Sequence, residues 1–349
     1  MKRIVIMAGG TGGHVFPALA VAESLIEKGW QVSWLGTQKG LESRVVPEHG
    51  IAIDWLSVAG VRGKGLLSKA TALAKLLKAC WQAAHILRER SPDVVLGMGG
   101  FVAGPGGLMA RLLGIPLVIH EQNRVPGTTN RLLAKLASRV LEAFPGSFHK
   151  KVQAQCTGNP LRKQFMQVPA EKHPSADHIN ILVVGGSLGA QILNEIVPEA
   201  IALLPGIKIK HQTGAVMCGQ VTEHYRALGI EAEVSPFIDD MVAAYQWADM
   251  VICRAGAMTV SEVSAMGVPA IFVPLPSAID DHQTANARYL TEAQAGLLLM
   301  QKELTARHLA EKITQASQQL QAMGYAAQQC ARLDATEVVA KACMAEAGV

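Results

Sequence analysis

The chain has 349 residues and a formal net charge of +4, with half of its residues apolar and 17% charged. That length exceeds what one hydrophobic core usually supports, and that composition excludes an extended disordered chain. The charge is too mild to suggest a nucleic-acid partner, and the cysteines (Cys80, Cys156, Cys218, Cys253, Cys330, Cys343) lack both CxxC spacing and a tight disulfide pattern, as reduced cytoplasmic thiols would.

At the N-terminus, Lys2, Arg3 and the small residues Ala18 and Ala20 imitate a secretory signal. Only Ile4 to Ala8 is continuously apolar before four glycines and His14 intervene, which suits a strand and is too short for a signal core. No stretch reaches the roughly 18 uninterrupted apolar residues needed to span a bilayer, so a soluble or peripheral protein is expected.

Apolar, β-branched runs predict strands at 3–8, 31–35, 93–97 and 116–119, then at 179–184, 207–211, 249–253 and 269–273, with helical patterns between them. Such alternation predicts parallel sheets covered by helices on both faces, with ligands beyond the carboxyl ends of the strands. The polar, proline-containing stretch 158–177 predicts a boundary between domains at 1–160 and 161–349. The last helical stretch, 336–347, could close the second domain or return to pack on the first.

Two glycine turns, GGTGGH at 9–14 and GGSLGA at 185–190, each join a predicted strand to a predicted helix. A turn of this kind aims unpaired backbone N–H groups and the positive helix end at one point, where a phosphate can bind. Neither turn has the lysine of a Walker loop, which disfavours ATP or GTP hydrolysis. Neither half has both a GxGxxG core and an acid at the end of its second strand, which disfavours an NAD-linked oxidoreductase. One strand ends in Gly36 and Thr37, the other in His211, Gln212 and Thr213.

A ribose acceptor is available elsewhere. RAGAMTVSE at 254–262 follows a predicted strand and opens a helix, with Thr259 and Glu262 in capping-box spacing, and Glu262 could accept from two sugar hydroxyls. DDHQTAN at 280–286 predicts another helix start, with Asp280 or Asp281 as cap and His282, Gln283 and Asn286 on offer to a sugar. The chain has no Asp-x-Asp pair, so no metal bridge to a diphosphate is indicated, and Arg162 with Ser187 are the candidates for steadying a leaving group.

Together with GMGGFVAGPGG (97–107), HEQN (120–123), GNPLR (158–162) and FIDDM (237–241), these motifs resemble those of the MurG family of UDP-N-acetylglucosamine transferases over nearly the whole chain. The resemblance implies an α/β fold of GT-B type: two Rossmann-like, doubly wound parallel-sheet domains facing an interdomain cleft. It implies a C-terminal domain for UDP-GlcNAc and an N-terminal domain for a lipid-linked acceptor, lipid I, with no cofactor. By matching position, Thr11, Gly12, Gly13, Asn123, Arg162, Ser187, Ile238, Ala257, Met258, Thr259, Val260, Ser261, Glu262 and Gln283 would contact UDP-GlcNAc, with Asn286 assisting at the sugar. Within that set the Ile238 backbone would read uracil, Glu262 the ribose, and Ser187 with Ala257 to Thr259 the diphosphate. The sequence departs from the family pattern at Leu188 and His282, each of which stands where relatives have glutamine.

The implied reaction is an inverting transfer to the C4 hydroxyl of N-acetylmuramic acid, which requires a base. His14, on the first glycine turn, suits that task, because histidine is the side chain that most readily exchanges a proton near neutrality. Glu121 is the rival base or an orienter. A polyprenyl acceptor also implies contact with the cytoplasmic face of the inner membrane, and 61–90 carries seven Lys or Arg against one acid. Leu66, Ala70, Leu73, Leu77, Trp81 and Ala84 recur there at helical spacing, as either a membrane-facing or a core-facing stripe. A UDP-GlcNAc 2-epimerase on the same two-domain plan is the alternative enzyme, and a binding or scaffolding role would leave His14 and Glu121 without a purpose.

Overall fold

The computed structural model describes residues 1–57, 66–166, 178–186, 189–276 and 281–349, with the side chains of 66–72 outside the description. The predicted linker therefore falls in part, at 167–177, outside the described residues, as do Ser187, Leu188 and Asp280. The chain divides into two compact units: Met1–Arg162 with Arg332–Val349, and Lys163–Ala331.

The first unit runs β1 (Arg3–Met7), α1 (Gly12–Glu27), β2 (Gln31–Gly36), α2 (Glu42–Glu48), β3 (Ala52–Trp55), α3 (Leu66–Arg90), β4 (Val94–Gly97), α4 (Ala103–Leu112), β5 (Leu117–Glu121), α5 (Thr128–Leu133), β6 (Arg139–Glu142) and β7 (Gln155–Cys156). Its sheet has the order β3-β2-β1-β4-β5-β6-β7, and all its pairings are parallel. The second unit runs β8 (Ile179–Val184), α6 (Gln191–Ile201), β9 (Ile207–Gln212), α7 (Cys218–Ala227), β10 (Ala232–Ser235), α8 (Met241–Trp247), β11 (Met250–Cys253), α9 (Ala257–Met266), β12 (Ala270–Phe272), α10 (His282–Glu292), β13 (Gly296–Leu298), α11 (Ala306–Ser317) and α12 (Leu320–Cys330). Its six strands, also all parallel, are ordered β10-β9-β8-β11-β12-β13. Both units thus share the doubly wound order, whose direction reverses at β1/β4 and at β8/β11.

Burial explains why β1 is a continuous apolar run rather than an alternating one. In β1, Ile4 and Ile6 enter one core while Val5 and Met7 enter the other. Each face of the sheet is covered by helices, so every position must be apolar. Five strands escaped the sequence pattern: β3, β6, β7, β10 and β13. They are the outer strands, short and carrying exposed or polar residues such as Ala52, Asp54 and Glu233, because the periphery of a sheet has less to bury.

The final helix, α13 (Ala335–Glu346), packs on α1 and β4, burying Val339, Ala340 and Cys343 among Ala18, Leu19 and Ala22. Polar ties fix its two ends. Thr336 Oγ1 donates to Leu161 O (3.1 Å), Lys28 pairs with Glu337 (2.9 Å) and Arg139 with Glu346 (3.0 Å).

At the β1/β4 reversal the two connecting loops meet backbone to backbone. Gly100 has φ +80°, and a Cβ placed on it would lie 2.5 Å from Gly9 O. In the second unit a similar close approach joins the loops after β8 and β9 rather than those at the reversal: Gly189 has φ +74° and a Cβ position 2.1 Å from Thr213 O. We expect Gly100→Ala to cost at least ~2 kcal/mol, since a left-handed alanine alone costs about 1–3 kcal/mol and the clash is with rigid backbone. Urea denaturation followed by circular dichroism measures this as a lowered midpoint; an unchanged midpoint would contradict the close approach.

Candidate active site

The first glycine turn leads directly into α1. Thr11 is the N-cap, with extended backbone (φ −105°, ψ 162°) and no side-chain cap. Its carbonyl accepts from His14 N and Val15 N, so Gly12, Gly13 and His14 form the first helical turn. Helix ends normally recruit a Ser, Thr, Asp or Asn oxygen to satisfy their leading amides. Here that capacity stays directed at the carboxyl edge of the sheet.

The turn is held from beneath by Glu42, the first residue of α2 and fully buried. Its carboxylate accepts from Gly10 N (2.9 Å), Thr37 N (2.9 Å) and Thr37 Oγ1 (2.7 Å). The acid missing from the end of the second strand therefore lies a few residues further on, turned inward on the backbone of both loops.

The segment after β5 is equally constrained. Glu121 is buried, and its Oε1 accepts from Asn123 N (2.9 Å) and Asn123 Nδ2 (3.3 Å). Its Oε2 accepts from Gly127 N (3.0 Å) and Asn130 Nδ2 (2.9 Å). Two donors on each oxygen leave the carboxylate little capacity for a substrate proton. Next to it, Gln122 Oε1 lies 2.8 Å from His14 Nδ1, and Gln122 Nε2 lies 3.0 Å from His120 Nδ1. His120 Nε2 lies 2.9 Å from Gly158 O. Burial pushes the His120 imidazole down to about 4, because a charged ring there would lose its hydration. Arg162 places its guanidinium 5.7 Å from the centre of the Phe16 ring.

In the second unit, the turn at 185–190 precedes α6, whose N-cap is Ala190. Gln212, which ends β9, donates through Nε2 to Gly186 O (3.0 Å) and Pro236 O (3.1 Å). The position that would hold a ribose acid in a dinucleotide fold is thus used to hold the turn. The neighbouring helix α9 starts at Ala257 after Gly256, which has extended backbone (φ −62°, ψ 145°) and no side-chain cap. Thr259 and Glu262 therefore lie inside the helix rather than forming a capping box, because the extended Gly256 sets the start three residues earlier. The leading residues Ala257, Met258 and Thr259 supply the helix-end amides; Val260, Ser261 and Glu262 form the next turn. Tyr245 OH donates to Glu262 Oε2 (3.2 Å).

Two further residues support the 254–256 turn. Gln283 Oε1 accepts from Ala255 N (3.3 Å) and Leu275 N (3.0 Å). Asn286 is fully buried and donates to Ala255 O (3.1 Å), so it acts on a ligand only through the turn it holds. His282 opens α10; Asp281 occupies the N-cap but accepts from Thr284 Oγ1 (2.7 Å) instead of a backbone amide, its own backbone being left-handed (φ 50°, ψ 32°). Ile238 lies in the loop between β10 and α8, half-buried beside the exposed Phe237.

Helix α3 resolves the two readings of its apolar stripe for the described side chains. Leu73, Leu77 and Trp81 are 58%, 62% and 70% exposed, whereas Ala79, Ala83 and Leu87 are buried. The core-facing stripe is thus an offset one, and of the sequence-derived set Leu66 and Ala70 lie outside the described side chains, while among the described ones only Ala84 joins it. Among the described residues no helix is long and apolar enough to cross a membrane. The sequence pattern did not reveal the roles of Glu42, His120, Gln122 and Gln212. Only HEQN gave a signal, as a polar cluster in a segment that must be buried behind a strand.

Two parallel-sheet units of Rossmann order, each with uncapped helix starts beyond its central strands, define an α/β protein of GT-B type, the architecture of sugar-nucleotide glycosyltransferases. The chain belongs to glycosyltransferase family 28, whose N-terminal domain matches residues 4–142 and whose C-terminal domain matches residues 180–342. Within that family its similarity is to the MurG enzymes. The UDP-N-acetylglucosamine–N-acetylmuramyl-(pentapeptide) pyrophosphoryl-undecaprenol N-acetylglucosamine transferase of Methylococcus capsulatus is 60% identical, with 99% of each chain covered. The crystal structure of Acinetobacter baumannii MurG is 43% identical, covers 99% of this chain and 100% of its own, and superposes with a TM-score of 0.88. The UDP-GlcNAc 2-epimerase of Neisseria meningitidis, at 13% identity, 99% coverage of this chain and 100% of its own, and a TM-score of 0.66, shares the fold alone, so the epimerase alternative loses its footing.

Glu42 offers a direct test of how the first turn is held. In Glu42→Gln one oxygen becomes an amide that faces the N–H or O–H donors of Gly10 or Thr37. A buried donor-to-donor clash costs about 1–3 kcal/mol, so thermal and urea midpoints should fall while Glu42→Asp, which keeps the acceptors, falls less. Equal midpoints for wild type and Glu42→Gln would remove Glu42 from this role.

Proposed function

We propose that this chain transfers N-acetylglucosamine from UDP-GlcNAc to the C4 hydroxyl of N-acetylmuramic acid in undecaprenyl-pyrophosphoryl-MurNAc-pentapeptide, lipid I, inverting the anomeric centre and forming lipid II. The observation that carries this reading is full-length similarity, at 60% identity, to a transferase named for that donor and acceptor. The site supports it with parts suited to each step.

The diphosphate is assigned to the amides at the start of α9 (Ala257, Met258, Thr259), where the helix dipole favours negative charge, together with Ser187. Val260 and Ser261 carry this turn on to Glu262, which is assigned to the ribose hydroxyls and which Tyr245 orients. The Ile238 backbone is assigned to uracil and Gln283 to the sugar, through the Nε2 its backbone contacts leave available. Asn286 supports the same turn from behind. Thr11, Gly12, Gly13, Asn123 and Arg162, all of the first unit, are assigned to the donor by their match to the family pattern; a guanidinium and backbone amides are the groups that stabilise a departing diphosphate.

His14 is assigned as the base. It takes the proton of the acceptor hydroxyl as the oxygen attacks the anomeric carbon and UDP leaves with the bonding pair. Glu121 orders the loop carrying Asn123, as its four hydrogen bonds suit. With UDP-GlcNAc and a short-chain lipid I analogue, wild-type protein should release UDP only when the analogue is present. His14→Ala should slow that release by about 10²–10⁴-fold, the usual contribution of a general base, with UDP-GlcNAc affinity retained. Acceptor-independent release, or none at all, would overturn the assignment.

The exposed Leu73, Leu77 and Trp81, flanked by the exposed Lys75 and Lys78, are assigned to the cytoplasmic face of the inner membrane, where the enzyme would be peripheral. Sedimentation with anionic vesicles should be strong at low salt and weaker at high salt. It should drop further in a Leu77→Ser, Trp81→Ser variant that keeps its turnover on a soluble acceptor. Vesicle binding equal in variant and wild type would locate the membrane contact elsewhere.

A further inference from the structure

The row running from the half-buried His14 through the buried Gln122, His120 and Gly158 contains two groups with no choice of hydrogen-bond role. Gly158 O is a backbone carbonyl and only accepts, so His120 Nε2, 2.9 Å away, carries the hydrogen. His120 is fully buried and its ring is neutral near pH 7, with burial pushing it down to about 4. Its Nδ1 therefore holds a lone pair. The second fixed group is the backbone carbonyl of His120, which lies 3.0 Å from Gln122 Nε2. An amide nitrogen with the His120 carbonyl on one side and the His120 Nδ1 lone pair on the other (3.0 Å) must be the NH2 end. Gln122 is 1% exposed, so no solvent is available to rescue the opposite orientation.

The consequence passes to His14. With Gln122 Nε2 committed, Gln122 Oε1 is the atom 2.8 Å from His14 Nδ1, and an amide oxygen only accepts. His14 must then hold its hydrogen on Nδ1 and its lone pair on Nε2. We infer that Gln122, itself oriented by His120, is a positioning residue that fixes His14 in the Nδ1–H tautomer, so that Nε2 is the atom that takes the substrate proton.

This deepens the assignment of His14 as the base and rests on it. In the step itself, the hydroxyl O–H bond breaks and Nε2–H forms, while the hydroxyl electron pair moves to the anomeric carbon. The resulting imidazolium donates from Nδ1 to the Gln122 oxygen, which accepts it without itself changing protonation. Tautomers of a free imidazole interconvert through solvent, and the commoner one has its hydrogen on Nε2, which would present a donor where an acceptor is needed. Holding one tautomer removes that fraction of unproductive protein.

The test uses the full chain labelled with ¹⁵N-histidine, with the His14 signals assigned by their loss in His14→Gln. Long-range ¹H–¹⁵N correlation above pH 8 should show the His14 pattern of a protonated Nδ1 and bare Nε2 in wild type. It should show the reversed or mixed pattern in Gln122→Met, whose thioether is a poor acceptor. Turnover with the lipid I analogue should fall at least ~10-fold in Gln122→Met, less than the about 10²–10⁴-fold expected for losing the base, with KM for UDP-GlcNAc little changed.

A wild-type Nε2–H tautomer, or a Gln122→Met protein with the wild-type pattern and turnover, would overturn the inference while leaving His14 as the base. Wild-type turnover in His14→Ala would instead remove the base assignment on which the inference rests, whatever the tautomer. Binding of UDP-GlcNAc by each variant, measured by calorimetry, confirms that the comparison is between folded proteins.

Discussion

A glycine-rich turn that offers its amides to a ligand leaves its own backbone unsupported, and in both units a buried polar side chain supplies the missing support. Glu42 holds Gly10 and Thr37 in the first unit, and Gln212 holds Gly186 and the loop after β10 in the second. An unpaired buried polar group is costly, whereas one whose partners are all present is rigid. The turns therefore keep their shape without using the helix-end amides, and glycines at Gly100 and Gly189 let neighbouring loops close over them.

The same logic separates the two carboxylates that could have served as chemical groups in the first unit. Glu42 and Glu121 are buried, and each is surrounded by backbone N–H and side-chain donors, a Thr37 hydroxyl for Glu42 and the Asn123 and Asn130 amides for Glu121, so each spends its acceptor capacity on loop shape. His14 is the contrasting case: one ring nitrogen is tied to Gln122 and the ring is only half-buried. In the reading proposed for the reaction, two acids build the scaffold and a histidine performs the proton transfer.

Legibility in the sequence followed burial. The strands that could be read from apolar runs are the inner ones of each sheet, β2-β1-β4-β5 and β9-β8-β11-β12, where both faces are largely covered; only β9 (IKIKHQ) alternates, with Lys208 and Lys210 turned away from the buried Ile209. The outer strands are less covered and vanish into the surrounding pattern. The start of α9 was misplaced because Thr259 with Glu262 imitates a capping box, a local pattern that the extended Gly256 overrides. On α3, periodicity marked an apolar stripe but not which of two offset stripes packs inward; alanines at 79 and 83 allow the close approach, while Leu77 and Trp81 are left outside. The glycine turns and His14 were visible as motifs. Their supports were not, since Glu42, Gln122 and Gln212 become neighbours of the turns only through the fold.

On the proposed reading, the two units fit one topology to a sugar nucleotide rather than a dinucleotide. In the doubly wound order the end of the second strand is adjacent to the phosphate turn, and an acid there would face a ribose. Here β2 ends at Gly36, where a Cβ would lie 2.8 Å from Glu42 Cγ, and β9 ends in Gln212 with its amide spent on Gly186 and Pro236. Gly36 has no side chain, and the Gln212 side chain is held on the turn through its Nε2. In the reading proposed for the reaction, the ribose is taken instead by Glu262, on the helix that follows β11 across the β8/β11 reversal, whose carboxylate accepts from Tyr245 OH. On that reading a structural amide stands at the end of β9 and the binding acid stands on α9, so the chemistry of the site differs from a dinucleotide site while the doubly wound order of the sheet is the same.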